Sequence, residues 1–417
     1  MPLRSVVVVG ASLAGLRAAE TLRAEGFDGR LTVLGEEAHP PYQRPPLSKQ
    51  LLAGSWERDK VDLRIREDLR VELRTGTRAT ALDLTDRSVT VVTANGEERI
   101  GFDGMVVATG ARPRSLPEAM VPDGCEGVHT LRTVDDCIAL RAALQSRPRV
   151  AVIGGGFIGS EVAATCRDAG AAVTVVEPAP ALLHGALGPD LGALVTEIHR
   201  EHGTEVRTGR AAESVLGGAT VEGVRLDDGS TIPADLVVVA LGVTPATEWL
   251  EESGVRLDDG VVCDSRCRAV EVEGVVAAGD VARWDFDGLG GAVRIEHFDN
   301  ANHMGAAAAR ALLHGDSAEP YRPVPWFWSD MHDLRLQMLG VPRAGDELRI
   351  VEGDRAARRF VAAYGRDGRT VAVVTVNLPA RTARYRAAVE QRVPFPPPPA
   401  ESRQAQQLAP VARGAAP

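Results

Sequence analysis

Lysine is nearly absent from this chain. Of 47 basic residues only Lys49 and Lys60 are lysines. A chain that uses arginine almost everywhere keeps lysine where a compact, adjustable ammonium serves and a guanidinium does not; context favours Lys49 for such a role. Cysteine is sparse and badly spaced for pairing. Cys125, Cys137, Cys166, Cys263 and Cys267 form no CxxC and no paired framework, which excludes a disulfide scaffold and points to a reducing, cytoplasmic setting. No apolar run approaches a membrane span, and no secretory leader pattern opens the chain. A net charge of −10 disfavours nucleic acid as a partner. Aromatics make up only 4% of the residues, so the cluster Trp326-Phe327-Trp328 stands out. No metal site is expected.

What is present has ordinary globular proportions, 44% hydrophobic and 25% charged over 417 residues, enough for two or three domains. The most informative stretch is 150–178. A strand-type apolar run ends at Ile153, followed by Gly154, Gly155, Gly156 and Gly159, a helical segment, a second apolar run and Glu177. Strand, glycine turn, helix, strand and acid in that order are the recipe for holding a dinucleotide. Gly154 allows the tight turn, Gly156 lets backbone amides approach a pyrophosphate, and Gly159 lets the helix sit close to the sheet. The helix N-terminus offers N–H donors and partial positive charge to the phosphates. Glu177 would bind both ribose hydroxyls, and no Arg or Lys follows before Leu183 to accept a 2′-phosphate. The expected cofactor here is therefore NAD(H).

Residues 5–37 repeat this architecture, with Gly10 and Gly15 as the outer glycines, Ser12 in place of the middle one, and Glu36 or Glu37 as the ribose acid. Two such units imply two dinucleotides, or one dinucleotide and a decayed copy; both copies keep an acid, which favours two. A proline-rich loop, 39–49, then presents Arg44 and Lys49 from a stiffened backbone. Short strands and turns fill 63–109, ending in a buried strand that runs into Thr109, Gly110 and Arg112. A matching strand exits at Gly242. These paired exits predict that one dinucleotide-binding domain (114–241) is inserted in another (1–113 and 242–320). Residues 275–282 read as a buried strand ending in Gly-Asp, which puts Asp280 where open α/β sheets bind ligands; alternatively Asp280 is a helix cap. An alanine-rich helix follows Glu296, His297 and Phe298. Alternating strands and a helix over 379–391 then form a small α+β domain (321–393), and 394–417, rich in Pro, Ala and Gln, is expected to be disordered.

Taken together, PYQRPPLSK (41–49), ATGARP (108–113), GGGFIGSE (154–161), AAGDVA (277–282), RIEHF (294–298) and VPWFWSD (324–330) resemble the FAD-dependent ferredoxin reductases of bacterial oxygenase systems, the group of putidaredoxin reductase and the aromatic-ring dioxygenase reductases. The resemblance covers about 4–391. It implies that Gly10, Ser12, Ala14, Gly15 and Glu36 hold the FAD adenosine diphosphate. Arg44 and Lys49 would lie along FAD toward the flavin, with Thr109, Gly110 and Arg112 near the cofactor and Asp280 on the ribitol. Glu296, His297 and Phe298 would line the flavin pyrimidine edge. Gly154, Gly156, Ile158, Gly159 and Glu177 would hold NADH, with Glu161 near the nicotinamide; Trp328 and Gly242 complete the cofactor-binding set. Lys49 and Glu161 are the catalytic candidates. Phe298, Met331 and His332 depart from the family pattern.

The implied activity is electron transfer from NADH through FAD to a [2Fe–2S] ferredoxin, by a monomer or homodimer. Docking an acidic ferredoxin would need a local basic patch, for which Arg294, Arg310 and Arg335 are candidates. A disulfide reductase needs a cysteine pair beside the flavin, and 38–60 contains no cysteine. Two other readings stay open. One is a reductase for rubredoxin, and the other a flavin-binding interaction protein resembling apoptosis-inducing factor, with slow NADH oxidation.

Overall fold

Two runs of β-branched residues, each stopped by a glycine of positive φ, seed the two parallel sheets. The computed structural model describes residues 3–286, 291–343 and 345–400, and the chain divides into two compact units, each assembled from three stretches.

The first unit comprises Met1–Pro46, Trp56–Pro113 and Val243–Pro323. Its parallel sheet runs in the order Val275–Ala277, Gly104–Val107, Ser5–Val9, Arg30–Leu34, Glu72–Arg74. The central strands are continuously apolar because both faces are covered; Val6, Val7, Val8 and Val9 are all buried. Helix Leu13–Ala24 packs so closely on helix Phe298–His314 that a Cβ at Gly305 would lie 2.3 Å from the Ala14 carbonyl oxygen. Arg78–Asp83, Ser88–Thr93 and Gly96–Gly101 form an antiparallel sheet. Where the chain leaves and re-enters the unit, Ala111–Pro113 pairs with Val243–Pro245.

The second unit comprises Leu47–Ser55, Arg114–Gly242 and Val324–Pro417. Its parallel sheet has the order Glu205–Thr208, Ala172–Glu177, Arg149–Ile153, Leu236–Val239, Val128–Thr130. An antiparallel trio, Ala212–Gly217, Val221–Leu226 and Thr231–Pro233, packs into the same apolar core. The C-terminal part is a five-stranded antiparallel sheet in the order Trp326–Met331, Leu334–Gly340, Arg369–Val376, Arg359–Arg366, Glu347–Asp354. The α/β class with two dinucleotide-type sheets and a small C-terminal α+β part is thus the observed one.

Three details differ from the sequence reading. Leu47–Ser55 groups with the second unit, because polar side chains of that unit seize its backbone: Thr165 Oγ1 donates to the Ser48 carbonyl at 2.8 Å and Cys137 Sγ to that of Leu47 at 3.2 Å. The helix expected over 379–391 is broken into Pro379–Thr382, a 3-10 turn at Ala383–Tyr385 and Arg386–Glu390, a path that buries the Tyr385 ring and brings its hydroxyl 3.0 Å from Glu352. The expected disorder does not begin at Pro394. Phe395 donates its amide to the Gly368 carbonyl at 3.0 Å and lays its ring where a side chain at Gly365 would stand, and the Ala400 amide reaches the Tyr385 hydroxyl at 3.1 Å. Residues 401–417 of that expectation lie outside the described residues.

Candidate functional site

In the second unit the glycine turn is built as its spacing requires. Gly154 has φ +107°, closed to L side chains, and a Cβ there would meet the Ala240 carbonyl oxygen at 2.3 Å; one at Gly159 would meet the Gly154 oxygen at 2.0 Å. Gly156 is different: a Cβ added to it meets nothing within 4 Å. It stands at the N-cap of helix Phe157–Asp168, where no side chain caps the helix and no acid occupies the first turn. The result is open space in front of an uncapped positive helix end, which suits a pyrophosphate. Ile158 projects beside it, 45% exposed. Glu177 ends its strand with both oxygens engaged, accepting from the Gly155 amide at 2.6 Å and the Ala179 amide at 2.8 Å. Gly242, at φ +81°, closes the exit strand and accepts from the Arg114 amide at 2.9 Å.

The first unit repeats the cradle. Gly10 has φ +119°, with the Ala108 oxygen 2.0 Å from a notional Cβ, and Gly15 is pressed against the Gly10 oxygen. Ser12 is the N-cap of helix Leu13–Ala24 but its hydroxyl does not cap it, and the first turn holds no acid; buried Ala14 follows. Glu36, half exposed, pairs with Arg112 at 3.0 Å. Glu37 is turned elsewhere, to Arg44 at 2.6 Å and to the Tyr42 hydroxyl, which leaves Glu36 the freer of the two candidate acids. Thr109 Oγ1 donates to the Ala246 carbonyl at 2.7 Å, and Gly110, at φ +71°, accepts from the Ala246 amide. Asp280 lies in the 3-10 turn Gly279–Val281 after strand Val275–Ala277, and its carbonyl accepts from Arg294 at 3.3 Å. Glu296 pairs with Arg294 at 2.6 Å. His297 stands at the N-cap position of the next helix, which begins at Phe298, without a side-chain cap bond. Burial pushes the His297 imidazole down to about 4, against the opposing pull of Asp280, so it is neutral at physiological pH.

A second cluster, within the second unit, joins the two catalytic candidates. Glu161, four residues after Phe157 on the same helix, is 2% exposed, and its Oε2 lies 2.6 Å from Lys49 Nζ, itself 12% exposed. Ser48 Oγ donates to the same oxygen at 2.5 Å, and Ser329 Oγ to Oε1 at 2.5 Å. A buried carboxylate is tolerable only when paired and hydrogen-bonded, and here it is both. Neither serine carries a sequence signal as a site residue; only its place inside PPLSK or FWSD hints at one. Trp328, on the same strand as Ser329, stacks on Trp326 with ring centroids 5.1 Å apart.

The expected basic patch is compensated at each position: Arg294 pairs with Asp259 and Glu296, Arg310 with Glu25 and Arg335 with Asp330. All five cysteines are free. Cys137, Cys166, Cys263 and Cys267 are buried, and burial raises each thiol, to about 12 for Cys137 and Cys166, which makes them poor nucleophiles. Among the described residues no cluster suits a metal ion and no helix is long and apolar enough to cross a membrane.

Residues 4–305 match the family model described as pyridine nucleotide-disulphide oxidoreductase, and 326–408 match the reductase C-terminal model. The chain is 38% identical over 392 residues to the 5,5'-dehydrodivanillate O-demethylase ferredoxin reductase subunit of Sphingobium sp. (strain NBRC 103272 / SYK-6), covering 92% of each chain. It is 39% identical over 379 residues to the ferredoxin–NAD(+) reductase component of the anthranilate 1,2-dioxygenase system of Burkholderia cepacia, covering 89% of this chain and 90% of that one. Among solved structures, the covalent putidaredoxin reductase–putidaredoxin complex matches with a TM-score of 0.87 at 33% identity, over 94% of each chain.

Proposed function

This chain belongs to the pyridine nucleotide-disulphide oxidoreductase family, and we propose that within it the protein is an NADH-dependent, FAD-containing reductase that supplies a [2Fe–2S] ferredoxin and, through it, an oxygenase. One observation carries this reading: two glycine cradles stand in a chain whose cysteines are all free and mostly buried. Burial makes those thiols poor candidates for a dithiol relay. The relatives' names point the same way, as does a neighbour solved in covalent complex with putidaredoxin.

Bound FAD supplies the conversion between two-electron and one-electron transfer, which no side chain can perform. The first unit holds it: Gly10, Ser12, Ala14 and Gly15 on the pyrophosphate side, Glu36 on the adenosine ribose, Thr109, Gly110 and Arg112 beside them. Arg44, Asp280, Glu296, His297 and Phe298 serve the rest of the cofactor. In the second unit Gly154, Gly156, Ile158, Gly159 and Gly242 receive NADH. Glu177 selects it over NADPH, because a 2′-phosphate would face a carboxylate. Lys49 supplies positive charge against the negative charge that accompanies reduction, and Glu161 holds that ammonium in place. The free cysteines fit a reducing cytoplasm, and the working form is a monomer or homodimer.

The test is anaerobic stopped-flow reduction of the yellow holoprotein by NADH and by NADPH, followed by mixing with an oxidised [2Fe–2S] ferredoxin. Fast bleaching by NADH, a weak response to NADPH and rapid onward transfer are expected. Slow bleaching with a long-lived NAD-bound complex would instead indicate an interaction protein. In Lys49→Met, cofactor reduction should fall by roughly a hundred-fold, the usual size for losing a preorganised charge, while FAD stays bound.

A further inference from the structure

We propose that Ser329, in the C-terminal sheet, is a positioning residue for the Lys49–Glu161 pair: it holds one carboxylate oxygen so that the other is presented to the ammonium. This rests on the role assigned above to that pair. The strand Trp326–Met331 and the helix Phe157–Asp168 are matched at two points. Phe327 meets Phe157 with ring centroids 4.3 Å apart, and Ser329 Oγ reaches Glu161 Oε1 at 2.5 Å. Four residues along a helix advance about 6 Å, and two along a strand about 6.8 Å. Positions 157 and 161 therefore share one helix face, 327 and 329 share one strand face, and the two pairs lie in register. Trp326 and Trp328 stack together on the other face of the strand.

The contact of these two tilted rings sets how far the strand slides along the helix, and the hydroxyl then lands on the carboxylate. Ser329 and Glu161 are 0% and 2% exposed, so water has no ready route to replace the bond. Among the described residues the other donors to Glu161 converge on Oε2: Lys49 Nζ at 2.6 Å and Ser48 Oγ at 2.5 Å, with Lys49 Nζ also 3.4 Å from Ser48 Oγ. Ser329 alone, among the hydrogen bonds described, ties down Oε1. Without it the carboxylate can turn about its terminal bond, and the direction in which Oε2 meets the ammonium turns with it. A module outside both glycine-turn repeats thus sets where the cation stands.

The scarcity of lysine makes this measurable. Holoprotein labelled with 13C-lysine gives signals from Lys49 and Lys60 only, assigned with Lys49→Met. In Ser329→Ala the Lys49 13Cε signal should shift while that of Lys60 stays, and NADH should reduce the cofactor about ten-fold more slowly, the size expected for one charge-assisted hydrogen bond. In a Glu161→Gln background the same substitution should add little, because the residue it positions is gone. A ten-fold loss that persists in that background, or a Lys49 signal unmoved by Ser329→Ala, would overturn the proposal. Should Ser329→Ala fold poorly, Ser329→Cys keeps the volume with a weaker donor and should displace the Lys49 signal in the same direction; no displacement there overturns it equally. If Lys49→Met and Glu161→Gln themselves leave cofactor reduction unchanged, the role of the pair in the reaction falls, while the Lys49 signal still reports whether Ser329 positions it.

Discussion

Glu161→Gln isolates the energetics of the buried pair. The carboxylate is 2% exposed, the ammonium 12%, and they stand 2.6 Å apart. At an effective dielectric of about 20, two unit charges that close attract by about 6 kcal/mol. The amide keeps the shape of the side chain but removes the anion, leaving Lys49 to bear its desolvation without the compensating charge. One-sided losses of this kind cost about 3–5 kcal/mol. Lys49→Met should cost less, since Ser48 and Ser329 still donate to the remaining carboxylate. The double variant removes both charges and should be clearly more stable than the sum of the two losses implies, because no unpaired ion stays buried. Guanidinium unfolding of the four holoproteins at neutral pH, followed by far-UV circular dichroism, gives the cycle. Additivity to within about 0.5 kcal/mol is the result for independent sites; finding it would refute the pairing and with it the placement of Lys49 by Glu161.

Two further outcomes follow from other parts of the chain. Glu177→Gln should lower kcat/KM for NADH roughly ten-fold, the scale of one lost hydrogen bond to a charged group, and raise that for NADPH; an unchanged ratio would remove Glu177 as the selector. His199 is fully buried, and neither ring nitrogen has a hydrogen-bond partner among the described residues. Burial, then the neighbouring His332 and His202, push it down to about 3. Between that value and about 6.5 the unfolded chain binds a proton that the native state does not, so stability rises with pH over this window and is lost as pH falls through it. From pH 7 to pH 5 His199 should account for about 2 kcal/mol of the loss. Urea unfolding at both pH values should therefore show a smaller decline for His199→Leu than for the parent protein, and equal declines would contradict this.

The glycine turns were legible because their signal is local. A positive φ at Gly10 or Gly154 admits essentially one residue type, and a run such as Val6–Val9 between turn residues can hardly be anything but a buried strand. The start of the tail misled for a complementary reason. Its composition is that of a disordered segment, but Phe395 finds a glycine-sized gap over Gly365 and the Ala400 amide finds the Tyr385 hydroxyl; composition is blind to a vacancy on another strand. Among the arginines expected to form a basic patch, the partner of Arg310 was equally hidden, since Glu25 lies 285 residues from it in the chain.

By itself, then, the sequence determined the two βαβ units, the acids that end them, the absence of paired thiols and the isolation of Lys49 among arginines. All of these depend on residue type and short spacing, which act within a few bonds. Only the tertiary structure decided that Leu47–Ser55 groups with the second unit, that Glu161 binds Lys49 across 112 residues of chain, and that Ser329 closes the same carboxylate from 168 residues away. Those contacts depend on how a strand slides against a helix. That register is set by ring faces and packed volume summed over the whole unit, and no short stretch of sequence carries it.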